Sequence, residues 1–164
     1  MGIRNAESED KEYIRAKNAA YRYLTYRPRS RAEVESKLRD KGFADAVVRQ
    51  VIFDLIRLEY VNDREFARQW SQGRVRLRGF GRRRIEQELK KKGIDRDIIR
   101  QTFGELFGDD SEFETAKQTV RKKLAAMKSV DRETRRRRLA GFLERKGFPF
   151  EIIGRVLRET DNDL

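Results

Sequence analysis

The sequence predicts an all-α protein built as three tandem three-helix repeats, set in an elongated, curved array. Three observations predict it. Apolar residues recur at helical spacing, and no stretch alternates convincingly as a strand does. One helix-stop pattern occurs three times, as Leu38…Lys41-Gly42-Phe43, Leu89…Lys92-Gly93-Ile94 and Leu143…Lys146-Gly147-Phe148. A constant shift then places Ala16 on Ala67, Val34 on Ile85, Gly42 on Gly93 and Ile52 on Phe103. The last unit repeats the scheme with a longer connection between its first two helices. The resulting divisions are a flexible tail over 1–12 and three-helix repeats over 13–60, 61–108 and 109–164.

The elements follow in order. Residues 1–12 carry four acids and two bases with almost nothing apolar, and read as a frayed tail. A first helix is expected from about Tyr13 to Tyr26, with Ala16, Ala19, Ala20, Tyr23 and Leu24 on one stripe. Pro28 and Ser30 break it, and Ser30 is placed to cap the next helix. That helix, near 31–41, carries Val34 and Leu38. The third, near 45–58, carries Val47, Val48, Val51, Ile52 and Leu55. Tyr60-Val61-Asn62-Asp63 restarts the pattern, with Asn62 or Asp63 as cap and Phe66, Ala67, Trp70 and Val75 along one side. Trp70 matches Ala19 and is read as core. Ile85 and Leu89 mark the next helix, and Ile98, Ile99, Phe103 and Leu106 the one after. In the last unit the stripes are Ala116, Val120 and Leu124, then Leu139 and Leu143, then Ile152, Ile153, Val156 and Leu157. Residues 160–164 read as a loose end.

Glycine just past a helix end takes the left-handed conformation without a Cβ penalty. The residue after it then packs on the residue five positions before it. This pairs Phe43 with Leu38, Ile94 with Leu89 and Phe148 with Leu143. The lysine before each glycine complements the negative end of the helix dipole. The turn is read as a property of the fold that needs no partner.

Composition bounds the chemistry. The chain has 164 residues, 37% hydrophobic and 41% charged, so its core must be shared among narrow helix faces. It has no cysteine and no histidine. That excludes disulfides, thiolate nucleophiles, histidine general bases and the usual zinc sites. No apolar run is long enough for a membrane span or signal peptide, so a cytoplasmic protein without membrane association is expected. Arg78-Gly79-Phe80-Gly81 follows no strand and is no dinucleotide fingerprint. Glu86 and Glu88 read as isolated carboxylates on a charged face. No catalytic pair, metal site or cofactor is predicted, and the chain is read as no enzyme. The net charge of +12 points to a polyanionic partner, nucleic acid first.

The arginines locate that partner. Between Glu65 and Glu86 there is no carboxylate, but there are six arginines from Arg74 to Arg84. Arg82, Arg83 and Arg84 open a helix, where the positive end of the dipole disfavours them. Arg135, Arg136, Arg137 and Arg138 are read at the corresponding place of the last unit. A helix start offers free backbone N–H groups to an anion, and a local rule broken twice points to function. Arg74, Arg76 and Arg78 extend the patch from the preceding helix end, and Lys90, Lys91 and Lys92 add to it. Nothing here encodes base reading, so DNA contact is expected at the phosphate backbone.

The three-helix units, the run Tyr60-Val61-Asn62-Asp63-Arg64-Glu65-Phe66-Ala67 and the segment Gly81 to Ile94 closely resemble the bacterial RecX family. The resemblance covers roughly 13–160 and is most specific in the middle unit. It implies a modulator of the RecA recombinase that binds the groove of the RecA–DNA filament, and a monomer is expected. It further implies hindrance of filament extension, ATP hydrolysis, strand exchange and co-protease activity in the SOS response. Two other readings remain open from the residues. One is a DNA-binding protein of helix-turn-helix type, although the third helices are poor in base-reading side chains. The other is a helical scaffold.

Overall fold

The structure, a computed structural model, describes the backbone of residues 2–108, 110–125, 127 and 130–162, and the side chains of those from 8 to 160. Among these residues lie α1 (Gly2–Thr25), α2 (Arg31–Asp40), α3 (Asp45–Arg57), α4 (Asp63–Gly73), α5 (Arg82–Lys91), α6 (Arg96–Leu106), α7 (Ser111–Leu124), α8 (Arg132–Lys146) and α9 (Phe150–Asn162). A π-helical turn, Arg74–Arg78, extends α4. No strand occurs among the described residues. The all-α, three-by-three reading is therefore the observed one.

Two extents differ from expectation. α1 begins at Gly2 rather than near Tyr13. Glu12, in the segment read as a tail, accepts a hydrogen bond from the Ala44 N–H at 2.8 Å and so supplies the cap that α3 lacks from its own side chain. At the other end α9 continues to Asn162, and Met1, Asp163 and Leu164 lie outside the described residues.

The chain forms two compact units, residues 1–66 with 92–94, and residues 67–91 with 95–164. In the first, Ala16 and Ala20 of α1 meet Val34 and Leu38 of α2 and Val47, Val48, Val51, Ile52 and Leu55 of α3. Small residues on α1 let α2 and α3 approach closely. Ser30 caps α2 in a capping box with Glu33. α3 ends without glycine: Glu59 itself takes φ 60°, and its N–H donates to the Ile56 carbonyl at 3.0 Å.

In the second unit Phe80, Ile85, Leu89, Ile99, Phe103 and Phe107 are buried around α5 and α6. Phe103 and Phe107 meet edge to face at 5.2 Å. Phe113, Ala116 and Val120 of α7 pack with Leu139, Leu143 and Phe148 and with Ile153, Val156 and Leu157 of α9. Leu38, Leu89 and Leu143, the leucines of the three helix stops, are at most 1% exposed. Replacing any of them with alanine costs about 2–5 kcal/mol by transfer and cavity terms.

The stops are as the glycine pattern requires. Gly42, Gly93 and Gly147 have φ 82°, 72° and 87°. Phe43 N–H donates to the Leu38 carbonyl at 3.4 Å, and Phe148 N–H to the Leu143 carbonyl at 3.2 Å. These are the six-to-one bonds of a Schellman end.

Candidate functional site

The helix stops do have partners. In the first unit the turn Lys92–Ile94 sits on the start of α2. The Ser30 hydroxyl donates to the Lys92 carbonyl at 2.6 Å while it caps the Glu33 N–H. A Cβ at Gly93 would run into the Ala32 Cβ. Asp63, at the start of α4, accepts the Arg31 N–H at 2.8 Å, and burial raises its carboxyl above the ordinary value against that bond. Lys92 pairs with Glu33 at 2.9 Å. Burial raises the Glu33 carboxyl, but hydrogen bonds from Arg27, Lys92 and the Ser30 N–H overcome it and hold the group at about 2.

The second unit repeats this joint with other residues. The turn Lys146–Phe148 sits on the start of α5. Gly81 N–H donates to the Lys146 carbonyl at 2.9 Å, and Arg83 N–H to the Gly147 carbonyl at 3.0 Å. Glu112, at the start of α7, takes the place of Asp63 and accepts the Arg82 N–H at 2.7 Å. Glu112 is 7% exposed, and burial raises its carboxyl against the pull of Arg82 and Arg83. A Cβ at Gly81 would lie 2.6 Å from the Gly147 carbonyl oxygen, so backbone meets backbone here.

This corrects one expectation. The N–H groups of Gly81, Arg82 and Arg83 are taken by Lys146, Glu112 and Gly147, so the start of α5 is no open anion cradle. What it presents is side chains. Arg82 lies 5.5 Å over the Phe107 ring and 3.9 Å from Glu112. Arg84 lies 4.0 Å over Phe80 and donates to the Arg145 carbonyl at 3.0 Å. Arg83 lies 5.3 Å over the exposed Phe150. Stacking on rings offsets part of the cost of cations in a first turn, and the opposing dipole is quenched by Glu112. The guanidinium groups of Arg82 and Arg84 still expose 44% and 45% of their side chains.

A cleft of about 350 Å³ opens between α5 and α8, lined by Arg83, Arg84, Lys91 and Arg145 with Glu88 and Glu144. Beside it Lys146 is held below its usual value by burial and by the charges of Arg84 and Arg78. Its ammonium donates to the Arg78 carbonyl at 2.6 Å, closing the end of the π-helical turn.

The other predicted residues divide. Arg76 and Arg78 are exposed near the end of α4, as expected. Arg74 is committed inward: it lies 4.2 Å over the Trp70 ring and donates to Glu88 at 2.6 Å. Glu88 also accepts from the Trp70 indole at 2.9 Å, so it is not the isolated carboxylate it resembled, and Trp70 is half-buried rather than core. Lys90 pairs with Glu86 along α5. Lys92 belongs to the first unit and exposes only 17% of its side chain. Arg135 to Arg138 are not in a first turn: Asp131 caps α8, which begins at Arg132. Arg135 is half-buried against the Val130 carbonyl at 2.7 Å, while Arg136, Arg137 and Arg138 are exposed. Sequence reasoning passed over Arg145 and gave Lys146 only the part of a dipole partner of its own helix.

Among the described residues, no three His, Cys, Asp or Glu side chains gather as metal ligands, and no helix is long and apolar enough to cross a membrane.

Fold and joints together define an all-α protein of three successive three-helix domains, the second joint of which carries exposed cations. Family models described as the first, second and third three-helix domains of RecX match residues 16–55, 62–102 and 110–157. The chain belongs to the RecX family. It is 36% identical over 150 residues to the regulatory protein RecX of Amycolatopsis mediterranei, covering 92% of this chain and 85% of that one. It is 36% identical over 147 residues to the regulatory protein RecX of Bacillus velezensis, covering 90% of this chain but 56% of that one. The crystal structure of RecX from Lactobacillus salivarius superposes with a TM-score of 0.84 at 28% identity, covering 93% of this chain and 98% of that one.

Proposed function

We propose that this chain is a regulator of the RecA recombinase that binds the groove of the RecA–DNA filament. In this reading it limits filament extension, ATP hydrolysis, strand exchange and co-protease activity. It acts in the cytoplasm as a monomer, by binding rather than by catalysis. Membership of the RecX family supports the RecA partner. The observation that carries the contact is the second joint, where Arg83 is exposed and Arg82 and Arg84 remain exposed beside only long pairs, to Glu112 at 3.9 Å and Glu88 at 3.8 Å. A filament groove offers phosphate and acidic side chains together, and guanidinium forks suit both. Contact with DNA would be to the backbone, without base preference. The test is RecA ATPase on single-stranded DNA with this protein added at up to equimolar levels. Inhibition is expected, and it should weaken in the R83E/R84E variant. Full ATPase activity with the protein in excess would sink the reading.

A further inference from the structure

A second basic feature lies in the same unit and reaches the edge of the α5 cleft at Lys146. It is a groove of about 420 Å³ between the π-helical turn, α7 and α8. Arg76, Arg78, Lys122, Lys123 and Lys146 line it, and no carboxylate does. The groove is built rather than incidental. Gly79 ends the turn at φ 57°, and a Cβ there would lie 2.5 Å from the Thr119 hydroxyl, so only glycine lets the turn lie against α7. The π-helical geometry itself is uncommon and concentrates at functional sites. It turns Leu77 outward, 83% exposed, between the two arginines at the rim.

We infer that this groove binds an acidic segment of a partner protein, with carboxylates on the cations and one apolar side chain against Leu77. Charge complementarity sets the sign of the partner. Its polymer class follows from the apolar wall. A single-stranded nucleic acid would need an aromatic face for its bases. Phe142 is already covered by the ammonium groups of Lys123 and Lys146, at 5.6 and 5.5 Å, and Leu77 has no ring to stack. The hydroxyls cannot turn to a ligand without loss, because Thr119 donates to the Thr115 carbonyl at 2.8 Å and Thr115 to the Ser111 carbonyl at 2.9 Å. The groove therefore offers cations and aliphatic surface, which is what a carboxylate-rich peptide with an apolar anchor matches. Lys122 and Lys123 carry the site together with Arg76, Arg78 and Leu77. The two lysines are exposed at the end of α7 and no ion pair among the described residues employs them.

The test uses the whole protein and a short fluorescein-labelled peptide of glutamates around a central phenylalanine. The same peptide with central serine and a single-stranded oligothymidylate of equal charge serve as comparisons. Fluorescence anisotropy should show binding of the phenylalanine peptide, weakened about tenfold by K122E/K123E and about threefold by L77S. R78E is a second reversal at the same groove, should K122E/K123E alter the melting temperature. Equal binding of the phenylalanine and serine peptides overturns the apolar anchor. Loss of oligothymidylate binding in K122E/K123E with peptide binding unchanged makes the groove a nucleic-acid site and overturns the proposal. RecA inhibition is read separately, so it can fail or hold without deciding this binding.

Discussion

The turn Lys92-Gly93 on the start of α2 and the turn Lys146-Gly147 on the start of α5 share one geometry and differ in charge. In both, a left-handed glycine approaches a helix start, a lysine carbonyl accepts a hydrogen bond from that start, and an acid from the first helix of the following repeat takes an N–H of its first residue. At the first joint the lysine meets Glu33, and the charges cancel within the fold. At the second the matching position is Arg84, so Lys146 faces like charge and turns to a carbonyl instead. Geometry is thus what the fold demands of a joint, and charge is what it leaves open. A joint whose exposed cations have only long ion pairs has charge to offer elsewhere.

The glycines offer the sharpest way to break this comparison. Gly42 has φ 82° and open space around it, Gly93 adds a clash with the Ala32 side chain, and Gly147 adds a clash with the Arg84 backbone. Alanine should therefore cost about 1 kcal/mol at Gly42, about 2 at Gly93 and about 3 or more at Gly147, as strain is joined by overpacking. Thermal or urea unfolding of the three variants reads the order. Equal losses would mean the joints are loose and only the left-handed conformation matters.

Charge gives the next test. Arg84→Glu restores at the second joint the acid found at the first. Stability should fall by no more than about 1 kcal/mol, since a pair with Lys146 offsets part of what is lost in the stacking on Phe80, the bond to the Arg145 carbonyl and the i,i+4 pair with Glu88, which becomes a like-charge contact. Retention of single-stranded DNA or of RecA filaments should fall, and each lost phosphate contact should lower the salt slope by about one. A large loss of stability with unchanged salt slope would show Arg84 to be structural, as Glu33 is.

Glu33 of the first joint and Glu112 of the second respond to acid with opposite signs, while Asp63 of the first joint shifts in the same direction as Glu112. Glu33 is held at about 2 against an ordinary value of 4.5. Its contribution is full above the ordinary value and is lost as pH falls towards 2. Glu112 is raised from 4.5, so its contribution is present below the ordinary value and is lost as pH rises through the raised one. Melting temperature against pH should accordingly lose part of its acid-side fall in E33Q. It should gain at neutral pH in E112Q, where amide replaces a buried charge yet still accepts the Arg82 N–H. The reverse pair of outcomes would put the electrostatic difference in the wrong joint.

Much of this arrangement was legible because it is local. Glycine stops, capping residues and apolar stripes are written in adjacent positions, and the left-handed φ at 42, 93 and 147 needs nothing beyond its own helix. Arg82 to Arg84 were visible as cations in a first turn for the same reason. Their partners were not. Glu112, Gly147 and Phe107 reach them across distances in sequence that leave no local signature, and Glu112 reads as one acid among many. The end of α3 shows the same limit from the other side. Glu59 takes the left-handed conformation although nothing in Leu58-Glu59-Tyr60 announces it; the turn is held by buried Leu55 and Val61, and the Val61 N–H donates to the Leu55 carbonyl across it at 3.2 Å.

The smallest effect compares the first helices of the two units. Ala20 on α1 is 1% exposed, and the equivalent position on α4 is Ser71, at 0%. Its hydroxyl oxygen has no hydrogen-bond partner among the described residues. An apolar site that accepts alanine in one repeat carries an unsatisfied polar atom in the other, which costs about 1 kcal/mol or slightly more. Ser71→Ala should raise stability by about 0.5–1 kcal/mol with binding unchanged. Serine also has the lower helix propensity, which works in the same direction. If the substitution destabilises instead, the hydroxyl is serving α4, and the two first helices are less alike than their spacing implies.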